Sequence, residues 1–129
     1  MVLAVFTAYV LYVSWTLDPD PRGYGTHERL GLAPCSFKAW TGVPCLTCGM
    51  TTAFAHMAHF QLLDAFAVQP AGAVFFVMAV LYVPAGLWAA ARGRSLFALL
   101  DRLDLRRHVL PFLALLLGAW VYTILVQTT

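Results

Sequence analysis

The sequence predicts an all-α membrane protein with about three transmembrane helices and an interfacial or re-entrant amphipathic helix that follows a cysteine-containing loop. Of its 129 residues, 61% are hydrophobic and only 11% are charged, whereas a soluble domain carries roughly 25% charged residues. The apolar residues also lie in long segments without charges. We therefore interpret residues 1–129 as a single integral membrane domain.

Three segments are apolar enough to span a bilayer. A transmembrane helix needs about 20 mainly apolar residues to cross about 30 Å of hydrocarbon. The predicted spans are residues 1–17, 71–91 and 109–126. The first lacks the basic region and cleavage site of a signal peptide, so we expect it to be retained. Small residues in the other two allow helices to approach closely: Ala71, Gly72, Ala85, Gly86, Gly118 and Ala119.

The distribution of basic residues predicts the orientation. The short loop 92–108 contains five arginines, whereas the longer cysteine loop, residues 18–50, contains only Arg22, Arg29 and Lys38. The positive-inside rule places the arginine-rich loop in the cytoplasm and the cysteine loop on the extracytoplasmic side. A net charge of +2 with so few basic residues does not favour nucleic-acid binding.

Residues 51–66 form the amphipathic segment. Its periodicity predicts a helix, but it contains His56, His59, Gln61 and Asp64, and polar groups are costly at the centre of a bilayer. We therefore expect the helix to lie at the interface or against the helical bundle. A fourth crossing is the alternative, and it would move the cysteines to the cytoplasmic side.

Three cysteines form the main candidate site. Cys45 and Cys48 have C-x-x-C spacing directly before a predicted helix start at Gly49, and a turn signal at Thr41-Gly42 allows Cys35 to fold back on them. A helix N-terminus favours a thiolate. Four interpretations stay open: packed thiols or one structural disulfide, a metal site, disulfide exchange by the C-x-x-C pair, and a lipid-attached or partner-bound thiol. In each, we expect the three sulfurs to cluster.

A metal site would consist of Cys35, Cys45 and Cys48, with His27 as the candidate fourth ligand. Zinc or another thiophilic metal is the expected ion, because zinc takes four ligands from Cys and His. His56 lies eight residues beyond Cys48, about 12 Å along a helix, which is too far. We expect His56 and its neighbour at position 59 to form hydrogen bonds at the interface instead.

The run CSFKAWTGVPCLTCGMTTAF, followed by LLDAFAVQPAG, resembles a family of small bacterial membrane proteins known only as a domain of unknown function. The shared signature is T-G-x-P-C-x-x-C-G-x-T, and the resemblance covers roughly residues 35–72. Four positions depart from the family pattern: Leu46, Thr52, Leu63 and Gln69 replace proline, arginine, glycine and asparagine. The resemblance implies a folded domain of a bacterial cytoplasmic (inner) membrane and implies no activity.

The chemistry visible elsewhere in the sequence is sparse. It contains no G-x-S-x-G, P-loop or H-E-x-x-H motif, so no catalytic residue is predicted. We expect an accessory or scaffold subunit that contacts the lipid bilayer and a membrane-protein partner or a second copy of itself. The alternative is a membrane thiol-disulfide oxidoreductase that uses Cys45 and Cys48.

Overall fold

The computed structural model describes residues 2–21, 24–45, 48–102 and 104–128. Every regular element in these ranges is helical, which confirms the all-α class. Arg22 and Leu46, which the sequence analysis singled out, lie outside the described residues. The elements are α1 Val2–Thr16, a 3-10 helix Thr26–Leu30, α2 Ser36–Thr41, α3 Met50–Ala58, α4 Leu62–Val68, α5 Pro70–Ala91, α6 Leu96–Asp101 and α7 Leu105–Thr128.

Two helices are long and apolar enough to cross a membrane. They are α5, with 22 residues, and the 21-residue segment Arg106–Val126 of α7. At 1.5 Å per residue these measure about 33 Å and 32 Å, which matches a hydrocarbon core of about 30 Å. Only 11% of each apolar window is buried, so both helices differ from the core helix of a soluble protein.

The three predicted spans are not confirmed, because α1 is shorter than expected. It has 15 residues, or about 22 Å. The helix ends before Asp18-Pro19, since proline disfavours a helical conformation of the residue before it. Near its N-terminus α1 packs on α5, where a Cβ built on Gly86 would lie 3.3 Å from that of Ala4.

The amphipathic segment 51–66 is divided between two helices rather than forming one. Phe60 adopts a φ of 61°, and the Gln61 N–H donates to the His56 carbonyl at 2.8 Å. This reversal ends α3 and starts α4, and neither helix exceeds 9 residues, or about 14 Å. The aromatic residue at position 60 gives no sequence signal for a left-handed turn, which usually takes Gly or Asn.

The two short helices pack on the start of α5. Their shared core consists of Ala53, Met57, Ala65 and Ala73. A Cβ built on Gly72 would lie only 2.9 Å from that of Ala53, so α3 and α5 are in backbone-close contact. The predicted role of small residues is thereby confirmed at this position.

The C-terminal part of α7 is bonded to the segments that precede α5. The Trp120 indole N–H donates to the Pro44 carbonyl at 2.9 Å, and the Tyr122 hydroxyl donates to the Ala67 carbonyl at 2.9 Å. The hydroxyl of Thr123 bonds the side-chain oxygen of Gln69, and both side chains are fully buried. We refer to these three contacts as the α7 clamp. Because buried polar groups are costly when unpaired, the clamp fixes α7 against the junction of α4 and α5, and Trp120 extends this contact to Pro44 in the cysteine loop.

Candidate metal centre

A chain reversal brings Cys35 back to Cys45. Cys35 caps the N-terminus of α2, and Gly42 ends this helix with a φ of 72°. The Gly42 N–H donates to the Lys38 carbonyl at 2.8 Å, which is the hydrogen bond of a glycine helix stop. The turn predicted at this glycine is therefore confirmed.

A second turn places Cys48 beside Cys45. The Cys48 N–H donates to the Cys45 carbonyl at 3.0 Å. Gly49 follows with a φ of 83° and caps α3. A side chain at position 49 would be strained in this conformation, so the glycine permits the tight entry into the helix.

The three sulfur atoms form one cluster, as predicted. The Sγ atoms of Cys35 and Cys45 are 3.4 Å apart, and all three Sγ atoms lie within 4.8 Å of one another. A disulfide requires about 2.05 Å, so the cysteines are free thiols. Three thiolates on one zinc ion would lie about 3.8 Å apart, because bonds of ~2.3 Å meet at tetrahedral angles. The cluster can therefore hold a thiophilic ion after small side-chain adjustments.

Burial dominates the acidity of Cys48. Its side chain is 6% exposed, and this desolvation raises the pKa of the thiol to about 12, although a backbone hydrogen bond with Cys45 acts in the opposite direction. The favourable field expected at the start of α3 is thus outweighed. In the metal-free protein Cys48 is a protonated thiol and not an activated nucleophile, whereas a bound cation would displace its proton.

His27 lies near the sulfurs but outside the group that they form. Its Nε2 atom is 3.2 Å from the Ala33 carbonyl oxygen. The imidazole lines the same cavity of 230 Å³ as Cys35 and Cys48. Lys38 also lines this cavity, with Nζ 3.1 Å from the ring centroid of Tyr24. A rotation of His27 within the cavity would be needed to bring it to the ion.

The other two candidate histidines form hydrogen bonds, as predicted. The Nδ1 atom of His56 is 2.7 Å from the Gln61 side-chain oxygen. The Nδ1 atom of His59 is 2.7 Å from the Ala55 carbonyl oxygen. Neither histidine belongs to the three-sulfur group.

A buried threonine pair supports the site and was not anticipated from the sequence. The hydroxyl oxygens of Thr26 and Thr52 are 2.6 Å apart, and both side chains are fully buried. The Asp20 N–H donates to the same Thr26 hydroxyl at 3.0 Å. This pair joins the chain upstream of the cysteines to α3.

Comparison with known proteins supports the resemblance drawn from the signature. Residues 35–83 match the family described as "Protein of unknown function (DUF2752)". The match includes all three cysteines, α2 to α4, and α5 as far as Val83. No curated protein and no solved structure matches the chain.

Proposed function

We propose that this chain is a small integral membrane protein whose cysteine loop binds one zinc ion, or a similarly thiophilic metal, through Cys35, Cys45 and Cys48. The observation that carries the proposal is the convergence of the three Sγ atoms to within 4.8 Å. Thiolate donors select soft or borderline metals over magnesium or calcium. The ion would link the chain at Cys35, which precedes α2, to Cys45 and Cys48, which lie between α2 and α3.

Two observations support the membrane part of this proposal. Two apolar helices have the length of a bilayer span, and 11% of each apolar window is buried. Large apolar side chains are also exposed along these helices, for example Leu81 at 65% and Leu125 at 62%. In water such a surface would favour aggregation, whereas lipid tails would solvate it.

The orientation is part of the same proposal. Because α5 separates the cysteine loop from the arginine-rich loop, one crossing of α5 puts the two loops on opposite sides of the bilayer. This holds whether or not α1 also crosses. The arginines favour the cytoplasmic side, so we place the cysteines outside the cytoplasmic membrane.

A structural metal site favours an accessory or scaffold role over catalysis. Structural zinc sites contribute directly to folding, and the described residues present no nucleophile paired with a base. Thiol-disulfide exchange is the second candidate function, and the 3.4 Å separation of the Cys35 and Cys45 sulfurs favours it. The C-x-x-C pair is poorly suited to it, because the pKa of Cys48 is raised to about 12.

Metal analysis tests the proposal. Protein purified in mild detergent under reducing conditions should contain one equivalent of zinc by inductively coupled plasma mass spectrometry. The variant with all three cysteines changed to serine should contain none. The His56→Gln/His59→Gln variant is the matched control, since it removes two other metal-binding side chains and should retain the zinc. Protein purified in parallel without reductant that contains no metal and is lighter by two hydrogens would instead establish a disulfide.

Thiol labelling tests the orientation. Intact cells treated with a reductant and a chelator should be labelled at Cys35 by a membrane-impermeant maleimide. The Ser95→Cys variant, in a background without the native cysteines, should be labelled only after lysis. The reverse pattern would place the cysteine loop in the cytoplasm.

A further inference from the structure

A cationic cavity lies between the C-terminal end of α5 and α6, whereas the cysteines precede the N-terminal end of α5. Arg94 and Arg102 line it together with Ser95 and Trp88, and its volume is 380 Å³. The Arg92 guanidinium stacks 4.7 Å from the Trp88 ring centroid. Among the described residues that line the cavity there is no carboxylate, although Asp101 and Asp104 lie in the same exposed stretch of chain. The local field inside the cavity is therefore positive.

A second cavity continues from the first toward the middle of the helices. Its volume is 330 Å³, and it shares Ala89, Arg94 and Ser95 with the cationic cavity. Its remaining walls are uncharged and come from α1, α5 and α6, including Leu3 and Phe97. Together the two cavities form a groove between α1 and α5 with arginines at its mouth and with both apolar side chains and Tyr82 among its walls.

We propose that this pair of cavities binds one anionic glycerophospholipid, with its phosphate between Arg94 and Arg102 and an acyl chain along the groove. Guanidinium groups form paired hydrogen bonds to phosphate oxygens. Tryptophan is typical of the membrane interface, where Trp88 would contact the glycerol region. The inference rests on the membrane location proposed above and is independent of the metal site.

The combined chemistry of the two cavities favours a lipid over a soluble anion. A free phosphate would use only the arginines and leave the adjoining groove without an occupant. An anionic lipid satisfies both the charge and the apolar wall, and it is present at the depth where α5 ends. Each of the two arginines that line the cavity would contribute about 1 kcal/mol to the attraction of the lipid that occupies it.

The test compares two arginine pairs in the full-length protein. Detergent-solubilised protein is titrated with phosphatidylglycerol or phosphatidylcholine, and bound lipid is counted by native mass spectrometry. Arg94→Gln/Arg102→Gln should bind phosphatidylglycerol about 30-fold more weakly than wild type. Arg106→Gln/Arg107→Gln removes the same charge outside the cavity and should change affinity little. Equal losses in both variants, or equal binding of the two lipids to wild type, would overturn the proposal.

A second variant separates the lipid from a soluble anion. Ala90→Phe fills the groove without altering charge and should weaken phosphatidylglycerol binding while circular dichroism shows unchanged helix content. Excess inorganic phosphate should not displace the lipid from wild type. Displacement by inorganic phosphate, or full binding by Ala90→Phe, would show that the arginines bind an anion without the groove. Zinc content, measured in parallel, would be unaffected by either outcome.

Discussion

The cysteine end and the arginine end of the molecule differ in how their polar side chains are held. At the cysteine end, residues 17–69, buried polar bonds join distant segments: Thr26 to Thr52 and, through the α7 clamp, Gln69 to Thr123. At the arginine end, residues 92–104, the described side chains are exposed and line open cavities. The cysteine end therefore holds its polar side chains in fixed positions, whereas the arginine end leaves its charged side chains available to ligands.

This difference fits the chemistry proposed for each end. Metal ligands must be held within about 0.5 Å of their working positions, which buried and mutually bonded side chains provide. A lipid headgroup is mobile, and flexible arginines can follow it. Four predictions test this difference between the two ends, in order from the largest expected effect to the smallest.

Removing the buried sulfur should have the largest effect. We expect Cys48→Ser to lower zinc affinity by at least about 100-fold, because a structural site worth about 10–16 kcal/mol is shared among about four ligands. Competition with a chromophoric chelator measures the loss. Ser36→Ala, an exposed change next to Cys35, should leave the affinity unchanged. An unaltered affinity in Cys48→Ser would exclude this cysteine as a ligand.

Breaking the α7 clamp should destabilise the cysteine end. Thr123→Val removes the hydroxyl that bonds the buried Gln69 side chain, and the loss of one such hydrogen bond costs about 0.5–1.5 kcal/mol. The expected result is a lower thermal midpoint and faster release of zinc to a chelator. Thr16→Val removes an exposed hydroxyl that bonds only to Val13 and should have little effect. Equal thermal midpoints and equal rates of zinc release in the two variants would show that the clamp does not stabilise the cysteine end.

Two glycine substitutions should act in opposite directions. Gly72→Ala introduces a Cβ that would lie 2.9 Å from that of Ala53, so α3 must shift from α5 at a cost of about 1 kcal/mol. Gly118→Ala meets nothing within 4 Å and should stabilise α7 by about 0.5–1 kcal/mol. Thermal unfolding in detergent measures both. A stabilising Gly72→Ala would show that the two helices are not in close contact.

The effect that is smallest at neutral pH concerns the titration of Cys48 in the metal-free protein, because it appears only in alkaline solution. The pKa of Cys48 rises from 9.0 to about 12 on folding, so the unfolded chain releases this proton first. The stabilising contribution is therefore complete below pH 9 and is lost as the pH rises toward about 12. Alkylation of Cys48 by iodoacetamide, followed by peptide mass spectrometry, should be slow at pH 8 and accelerate up to pH 11. Rapid alkylation at pH 8 would contradict the burial.

The apolar spans were predictable because a bilayer imposes a length and a composition on the sequence. The predicted spans 71–91 and 109–126 correspond to α5 and to the apolar part of α7. The break between α3 and α4 was not predictable, since Phe60 adopts a positive φ although its residue type gives no signal for a left-handed turn. The predicted segment 1–17 corresponds to α1, Val2–Thr16, but at 15 residues this helix is too short to confirm a third crossing.

The cysteine cluster was predictable from spacing and from the turn at Gly42. The burial of Cys48 was not, since it depends on how the 3-10 helix and α2, which are distant in sequence or separated from it by a turn, come together beside it. The threonine pair and the α7 clamp were also missed, because contacts between residues 26 and 52, or 69 and 123, leave no local pattern. Local motifs thus predicted which cysteines come together, whereas long-range contacts determine the burial and acidity of Cys48.

The Trp120 to Pro44 bond has a consequence for synthesis on the ribosome. The two residues are 76 positions apart, so at about 5–20 residues per second Pro44 is made roughly 4–15 s before Trp120. During this interval the neighbouring cysteines exist as part of a nascent chain that lacks its final helix. The order of translation therefore gives metal ions and oxidants an opportunity to reach the sulfurs before Trp120 is bonded to the neighbouring Pro44 carbonyl.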